Sequence, residues 1–279
     1  MPHARQEPPV GAVGEREALL ERSEHLSALD AALNEVIAKS KGRLVLIGGE
    51  AGVGKTSLLR EFCDRSPDSV RVLWGACEAL LTPGPLGPLF DVAEVTRGEL
   101  EELVSTGARP HEVTSALLRE LGSRRATVLV LEDLHWADEA TLDVVQLLGR
   151  KVETISTLVL ASYRDDELDG GHPLRVVLGE LATARAVTRL DLSPLSADAV
   201  GLLAAPHGVD AEDLYRRTGG NPFFVTEALA AEAQELPRTV RDAVLARARR
   251  LNPAARTLLD AVAVAPPQAP MWLLEACAA

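Results

Sequence analysis

The sequence contains few cysteines, few aromatic residues and no long apolar run. Its three cysteines, Cys63, Cys77 and Cys277, are odd in number and far apart, so they have neither the spacing of a zinc site nor the pairing of a disulfide framework. No stretch reaches the roughly 18 consecutive apolar residues of a membrane-spanning helix, and the N-terminus lacks the apolar core of a signal peptide. We therefore expect a soluble, cytoplasmic protein without a membrane contact.

Basic residues are also scarce relative to acidic ones. Lysine and arginine total 29 against 41 aspartates and glutamates, which gives a net charge of -12 and an isoelectric point near 5.0. Such an acidic surface repels nucleic-acid phosphate, so DNA binding would need a local basic patch. The arginine-rich stretch RDAVLARARR at 241–250 has no aromatic residue among its arginines and predicts a solvated helix face instead.

Apolar residues are plentiful, at 47% of 279 residues, which is enough for a sizeable core and about two domains. Short apolar runs predict β-strands at 43–48, 70–76, 127–132, 157–162 and 187–192. Helical patterns alternate with them, beginning with a helix capped by Ser23 and continuing near 55–64, 111–122, 139–150 and 174–184. This alternation predicts an α/β fold with a parallel five-stranded sheet flanked by helices. The proline- and glycine-rich segment 79–90 is predicted to be a loop.

The pattern becomes purely helical after about residue 193. Helices are predicted at 196–204, 210–217, 222–234, 239–251 and 254–264, the last starting at Asn252-Pro253. We therefore expect a flexible lead-in over 1–18, an α/β core over 19–192, a helical subdomain over 193–236 and a further domain that starts at 237.

The strongest local signal is GEAGVGKT at 49–56, which fits the phosphate-loop pattern G-x-x-x-x-G-K-[ST] between a predicted strand and a predicted helix. Glycines allow successive backbone N–H groups to point at an anion, Lys55 adds a charge for the β- and γ-phosphates, and Thr56 offers a hydroxyl to Mg²⁺. ATP or ADP with Mg²⁺ is the expected cofactor. The predicted loop contacts are Gly49, Glu50, Ala51, Gly52, Val53, Gly54, Lys55, Thr56 and Ser57.

A second signal follows the strand TVLVLE. Glu132 and Asp133 are adjacent acids at the carboxyl end of a buried strand, where one can serve the metal and the other a water molecule. The sequence does not decide which acid binds the metal and which holds the water, although Asp133 is preferred as the metal ligand. Asp138 is predicted to cap the next helix, and His135 to have a packing or polar-contact role.

A third signal is Arg164, which follows the predicted strand at 157–162, at the sheet edge where open α/β sheets bind ligands. It is predicted either to contact the terminal phosphate or to form a surface ion pair with Asp165 or Asp166. The segment GGNPFFVTEAL at 219–229 predicts only a helix start when it is considered by itself.

Taken together, these segments resemble a known family. LLERSEHLSALDAAL, GEAGVGKTSLLREF, LVLEDLHWADEATLDVV, LVLASYRDDEL and GGNPFFVTEAL occur in the order found in the signal-transduction ATPases with numerous domains, and they are most similar to the large ATP-binding regulators of the LuxR family. The resemblance implies a P-loop NTPase of the AAA-like type, with an extra strand between the phosphate-loop strand and the strand that carries the acids. It also implies that a winged-helix-like domain starts near 237.

The resemblance further implies residue roles. Pro222 would pack near the adenine, Arg22 would lie near the base from the other side, and Arg164 would be the sensor of the terminal phosphate. The expected catalytic residues are thus Glu132, Asp133 and Arg164, and the expected metal ligands are Thr56 and Asp133. Two departures from the family pattern are the order Glu-Asp at 132–133 and the motif LLERSE, which lacks a glycine before Arg22.

The expected function is that of a Mg²⁺-dependent, slowly hydrolysing ATPase switch in a multidomain transcriptional regulator. Self-association through the ATPase module is expected, and DNA contact only through a C-terminal helix-turn-helix outside these residues. Two alternatives remain at this point: a nucleotide-binding scaffold without significant turnover, and the same module in a cyclase- or kinase-type signalling protein.

Overall fold

The computed structural model describes residues 19–79, 84–122, 125–230 and 253–264, together with positions 245, 248, 249 and 251. The lead-in over 1–18, most of the helix predicted at 239–251, the cap at Asn252 and most of the domain predicted from 237 lie outside the described residues. The chain divides into two compact units, Met1–Leu195 and Ser196–Ala279.

The first unit is built on a five-stranded sheet, with β1 at Arg43–Gly48, β2 at Arg71–Ala76, β3 at Thr127–Glu132, β4 at Thr157–Ser162 and β5 at Val187–Asp191. All neighbouring strands are parallel, and their order is β2-β3-β4-β1-β5. Strand β4 therefore lies between β1 and β3, as the resemblance implied. The prediction of a parallel five-stranded sheet in a P-loop fold is confirmed.

Helices cover both faces of this sheet. They are α1 at Ser23–Lys39, α2 at Lys55–Arg65, α3 at Gly87–Thr96, α4 at Glu99–Ser105, α5 at Pro110–Leu121, α6 at Glu139–Lys151 and α7 at Pro173–Leu181. Helix α1 is preceded by Arg22 as its N-cap and Ser23 is already helical, so the predicted cap was one residue late.

Strand alternation sends neighbouring side chains to different cores. Along β3, Val128 and Val130 join the cluster that includes residues of α1 and α2, whereas Leu129 and Leu131 join the cluster that includes residues of α3 to α7. This is the period of two expected of a strand buried on both sides. We call the first side the α2 face and the second the α6 face.

The prediction of a loop over 79–90 was wrong at its end, because α3 begins at Gly87. Pro88 lies in the first turn of α3, where the missing N–H has no helical acceptor to lose. The helix is held by apolar packing, since Leu89, Val92 and Ala93 are buried in the α6-face core. It also runs close to the sheet: a Cβ on Gly75 would lie 2.0 Å from the Pro88 carbonyl oxygen. Helix α4 was not predicted from the sequence.

The described part of the second unit is helical, with α8 at Ala197–Ala204, α9 at Ala211–Thr218, α10 at Pro222–Ala230 and α11 at Pro253–Val264. Polar side chains start three of these helices. The Ser196 hydroxyl accepts from the Ala199 N–H at 3.2 Å, Asp210 accepts from the Asp213 N–H at 2.8 Å, and Asn221 accepts from the Phe223 N–H at 3.1 Å. Among the described residues, no helix is both long and apolar enough to cross a membrane.

Candidate functional site

The loop between β1 and α2 has the backbone of an anion cradle. Gly49, Gly52 and Gly54 have φ angles of 146°, 82° and 101°, a region that side chains with a Cβ rarely adopt. Val53 anchors the loop, because its side chain is fully buried in the α2-face core. Lys55 and Thr56 then open α2, so the positive end of that helix points toward the loop.

Lys55 places a buried positive charge inside this loop. Lys55 is only 6% exposed. Its Nζ donates to the carbonyl oxygens of Gly49 at 2.5 Å and Glu50 at 2.9 Å. Burial lowers the pKa of Lys55, the charge of Arg164 lowers it further, and the carboxylate of Asp133 raises it. The ammonium group is therefore held against the backbone of the loop.

Glu132 ends β3 and meets the phosphate loop on the α2 face. Its Oε1 accepts a hydrogen bond from the Thr56 hydroxyl at 2.5 Å, and its Oε2 accepts one from the Trp74 indole N–H at 3.1 Å. Burial raises the pKa of Glu132, while the hydrogen bond from Thr56 lowers it. The acid that contacts Thr56 is thus Glu132, whereas the sequence-based preference for the metal ligand beside Thr56 was Asp133.

Asp133 has different surroundings from its neighbour. Its φ is 56°, a left-handed conformation that aspartate tolerates better than most residues, and its N–H donates to the Ser162 hydroxyl at 3.0 Å. Burial raises the pKa of Asp133, and the charges of Arg164 and Lys55 lower it. Its carboxylate, a third exposed, lies 3.8 Å from the Nδ1 of His135. Asp133 therefore has a backbone fixed by β4 and a carboxylate within the field of two cations.

Arg164 follows β4 and is paired with an acid of its own segment. Its Nη1 donates to Glu167 Oε1 at 2.5 Å, so Arg164 forms an ion pair with Glu167, an acid that neither alternative from the sequence had named. The second oxygen of Glu167 lies 3.9 Å from the Nε2 of His135. The buried imidazole of His135 thus faces Asp133 with one nitrogen and Glu167 with the other, which is a polar-contact role.

Asp138 has the capping role predicted for it. Its Oδ1 accepts from the Thr141 N–H at 3.0 Å at the start of α6, and its Oδ2 accepts from the Leu86 N–H at 3.0 Å. The second bond ties α6 to the turn that precedes α3.

Arg22 lies against the phosphate loop. It is 5% exposed, and its Nη2 donates to the carbonyl oxygens of Val53 at 3.0 Å and Ser193 at 2.7 Å. Burial lowers the pKa of Arg22. The family resemblance implied a place near the nucleotide base, and the structure gives this side chain two backbone acceptors. Pro222, the other predicted base contact, is the first residue of α10 in the second unit.

Trp74 is a site residue that was not predicted from the sequence. The signal that could have found it is strand alternation, because Trp74 packs on the α2 face as Val130 does, and β2 pairs with β3 so that Trp74 is opposite Val130. Sequence gives the alternation but not which strands are neighbours.

The donors present fit a magnesium ion. The Thr56 hydroxyl and the Glu132 carboxylate are adjacent hard oxygen donors beside the phosphate loop, and they would hold the ion there. Among the described residues, no cluster of three or more His, Cys, Asp or Glu is arranged to hold a metal by itself. Mg²⁺ that shares phosphate oxygens and water needs only one or two protein ligands, so this pair of donors is sufficient for it.

Comparison with known proteins agrees with this geometry. Residues 18–161 match the AAA ATPase domain family. An uncharacterized protein of Rhizobium meliloti (strain 1021) is 26% identical over 272 residues, in a match that covers 80% of this chain and 26% of that protein. The chain therefore spans about a quarter of the length of the curated relative it matches.

Solved structures are similar to the chain at low sequence identity. The ORC1 protein of Aeropyrum pernix, solved in complex with DNA, shares the fold with a TM-score of 0.55 and 15% identity, over 93% of this chain and 76% of that one. A signal transduction ATPase with numerous domains (STAND) and a tetratricopeptide repeat sensor, from Pyrococcus horikoshii, has a TM-score of 0.49 and 16% identity, over 94% of this chain and 39% of that one.

Proposed function

Because the chain belongs to the AAA ATPase domain family, we propose that it binds ATP with Mg²⁺, hydrolyses it slowly and acts as the nucleotide-dependent switch of a larger signalling protein. The observation that carries this proposal is the convergence of Lys55, the left-handed glycines and the Thr56–Glu132 pair at the carboxyl edge of one parallel sheet. Open α/β sheets bind their ligands at this edge.

Nucleotide binding would use groups that the loop already positions. The glycine N–H groups and the N-terminus of α2 attract phosphate, and Lys55 supplies a charge-assisted hydrogen bond. The carbonyl oxygens of Gly49 and Glu50 now hold the Lys55 ammonium in the loop. Phosphate oxygens would replace those carbonyls as stronger acceptors, because they are charged.

The metal would lie with Thr56 and Glu132. The Thr56 hydroxyl contacts Glu132, which supports Glu132 as the metal-side acid in place of Asp133, the residue preferred from sequence. Bound there, Mg²⁺ would neutralise charge that develops on the β- and γ-phosphates. Asp133 is then left to orient the attacking water, since its carboxylate is a third exposed.

The switch needs a contact that differs between ATP and ADP. Arg164 supplies a candidate, because its partly buried guanidinium pairs with Glu167 and its charge acts on both Lys55 and Asp133. A γ-phosphate would compete with Glu167 for Arg164, and ADP would not. The sequence resemblance supports placing this switch in a LuxR-type transcriptional regulator that self-associates through the ATPase module and binds DNA through a separate domain.

The decisive experiment compares the parent chain with Lys55→Ala by titration calorimetry and by phosphate release. Loss of the Lys55 bond should weaken ATP binding by about 10- to 150-fold, the equivalent of roughly 1.5–3 kcal/mol for a hydrogen bond to a charged group. Lys39→Ala is the matched control, because Lys39 is exposed and pairs with Glu35 on α1. Equal ATP affinity in the parent, Lys55→Ala and Lys39→Ala would refute the proposed site. ATP binding by the parent without phosphate release would favour the alternative of a nucleotide-binding scaffold without turnover.

A further inference from the structure

Strand β2 contributes the side chain of Trp74 to the site. Trp74 lies outside both the phosphate loop and strand β3, which supply the other groups of the proposed metal site. We propose that Trp74 is a positioning residue for the magnesium site, whose indole N–H fixes the Glu132 carboxylate so that its other oxygen faces Thr56. This inference rests on the proposed function, since it assigns a role within that metal site.

The placement of Trp74 follows from strand pairing. Strand β2 runs parallel to β3 with Trp74 opposite Val130 and Ala76 opposite Glu132. Trp74 is partly buried and packs against the α2-face core, the side of the sheet to which Glu132 also turns. A long side chain on one strand can therefore reach the residue diagonally ahead of it on the next strand.

The chemistry of the two donors to Glu132 differs. An indole N–H donates one hydrogen bond, accepts none and does not bind metals, so Trp74 can only hold Oε2 in place. The Thr56 hydroxyl donates to Oε1 and retains lone pairs for a cation. One donor thus fixes the carboxylate, and the other belongs to the metal site itself.

Without the indole bond, the hydrogen bond from Thr56 is the one that the described residues still make to the Glu132 carboxylate, whose terminal torsion is intrinsically broad. The carboxylate would then be ordered at the moment of metal binding, and that ordering costs free energy. Phosphate contacts made by Lys55 and by the loop backbone do not involve Trp74. The loss should therefore affect the contribution of the metal and leave metal-free nucleotide binding unchanged.

The test measures the magnesium gain, which we define as the affinity for a non-hydrolysable ATP analogue in Mg²⁺ divided by its affinity in EDTA. Trp74→Phe keeps an aromatic ring and removes the N–H, and we expect it to lower the magnesium gain by roughly three- to tenfold. Affinity in EDTA should be unchanged. Trp136→Phe is the matched control, because Trp136 packs partly buried against the α6-face core.

A double-mutant cycle separates positioning from a general loss of structure. In a Glu132→Gln background the carboxylate charge is already gone, so Trp74→Phe should cause no further loss of magnesium gain. Indole emission gives a second readout. Adding Mg²⁺ to the analogue complex should shift the emission of the parent and of Trp136→Phe, because the charge beside Trp74 changes, and the shift should be lost in Trp74→Phe.

The outcomes distinguish this inference from the function on which it rests. If the parent chain binds the analogue neither in Mg²⁺ nor in EDTA, both the proposed function and the role of Trp74 are overturned. A parent with a clear magnesium gain that Trp74→Phe retains overturns the role of Trp74 alone. That role is also overturned if Trp74→Phe weakens binding equally in Mg²⁺ and EDTA, or if its effect persists in the Glu132→Gln background.

Discussion

The last residue of β3 and the first residue beyond it, the adjacent acids Glu132 and Asp133, have different neighbours. On the α2 face, Glu132 is buried between a hydroxyl of α2 and an indole of β2. Asp133 follows one residue later, with its N–H on Ser162 of β4 and its carboxylate near His135. The end of a strand can therefore separate two chemical roles, because Asp133 leaves β3 in a left-handed conformation and its side chain meets different partners from that of Glu132.

The largest effect should come from Asp133→Asn, which removes the acid proposed to orient water. We expect kcat to fall by roughly 10²- to 10⁴-fold, the usual contribution of a positioned acid or base. Nucleotide affinity should stay close to that of the parent, because Thr56, Glu132 and Lys55 are intact. Single-turnover phosphate release with calorimetry on the same protein separates the two quantities.

Glu132→Gln should instead weaken the metal-dependent part of nucleotide binding. The magnesium gain should fall by roughly 10- to 150-fold, the scale of a lost interaction with a charged group, while affinity in EDTA is retained. If Asp133→Asn lost the magnesium gain and Glu132→Gln lost only turnover, the roles would be reversed. The preference for Asp133 as the metal ligand would then be correct.

A smaller effect is expected from Asp138→Ala on the α6 face. It removes the cap of α6 and the acceptor for the Leu86 N–H, and should cost about 1–2 kcal/mol of unfolding free energy. Asp138→Asn keeps a capping oxygen and should cost less. Urea denaturation of both variants measures this, and equal stability of Asp138→Ala and the parent would contradict the assignment.

The smallest effect concerns two thiols, one for each face: Cys63 is partly buried against the α2-face core, and Cys77 is buried in the α6-face core. Burial raises the pKa of Cys63, on α2, to about 12, and the pKa of Cys77, beyond β2, also to about 12. At pH 8 about one such thiol in ten thousand is ionised, so both should react slowly with iodoacetamide until the chain opens.

Labelling of these thiols compares the faces directly. Bound nucleotide should slow the reaction of Cys63 relative to Cys77 by roughly two- to tenfold, because the phosphate loop leads straight into the helix that carries Cys63. Peptide mapping in a Cys277→Ser background gives both rates. An equal slowing of both thiols would show that the two faces open as one unit.

The sheet was predictable from sequence because each strand is a compact apolar run beside a helical pattern. The phosphate loop was predictable because its glycines and Lys55 are adjacent in the chain. Helix α3 was missed because Gly87 and Pro88 look like loop residues, and its stability comes from apolar packing against the α6-face core. The roles of Glu132 and Asp133 could not be assigned from sequence, because the assignment depends on which strands are neighbours in the sheet, and the sequence does not specify that.

Trp74 and Arg22 illustrate the same limit. The indole reaches Glu132 only because β2 pairs with β3, and the guanidinium of Arg22 reaches residues 31 and 171 positions away in the chain. Contacts of this range are set by topology. A resemblance can suggest that Arg22 lies near the nucleotide, but its acceptors are two carbonyl oxygens that carry no side-chain signal.

The contact of Arg22 also has a mechanical consequence. A single guanidinium nitrogen holds both Val53 in the phosphate loop and Ser193, just before the chain leaves the first unit. Arg22 therefore joins the phosphate loop to the segment that follows β5, beside the backbone hydrogen bond from the Leu192 N–H to the Gly48 carbonyl oxygen. Replacing Arg22 with lysine would remove the guanidinium that bridges Val53 and Ser193, and so would loosen the link between the phosphate loop and the chain after β5 while leaving the sheet intact.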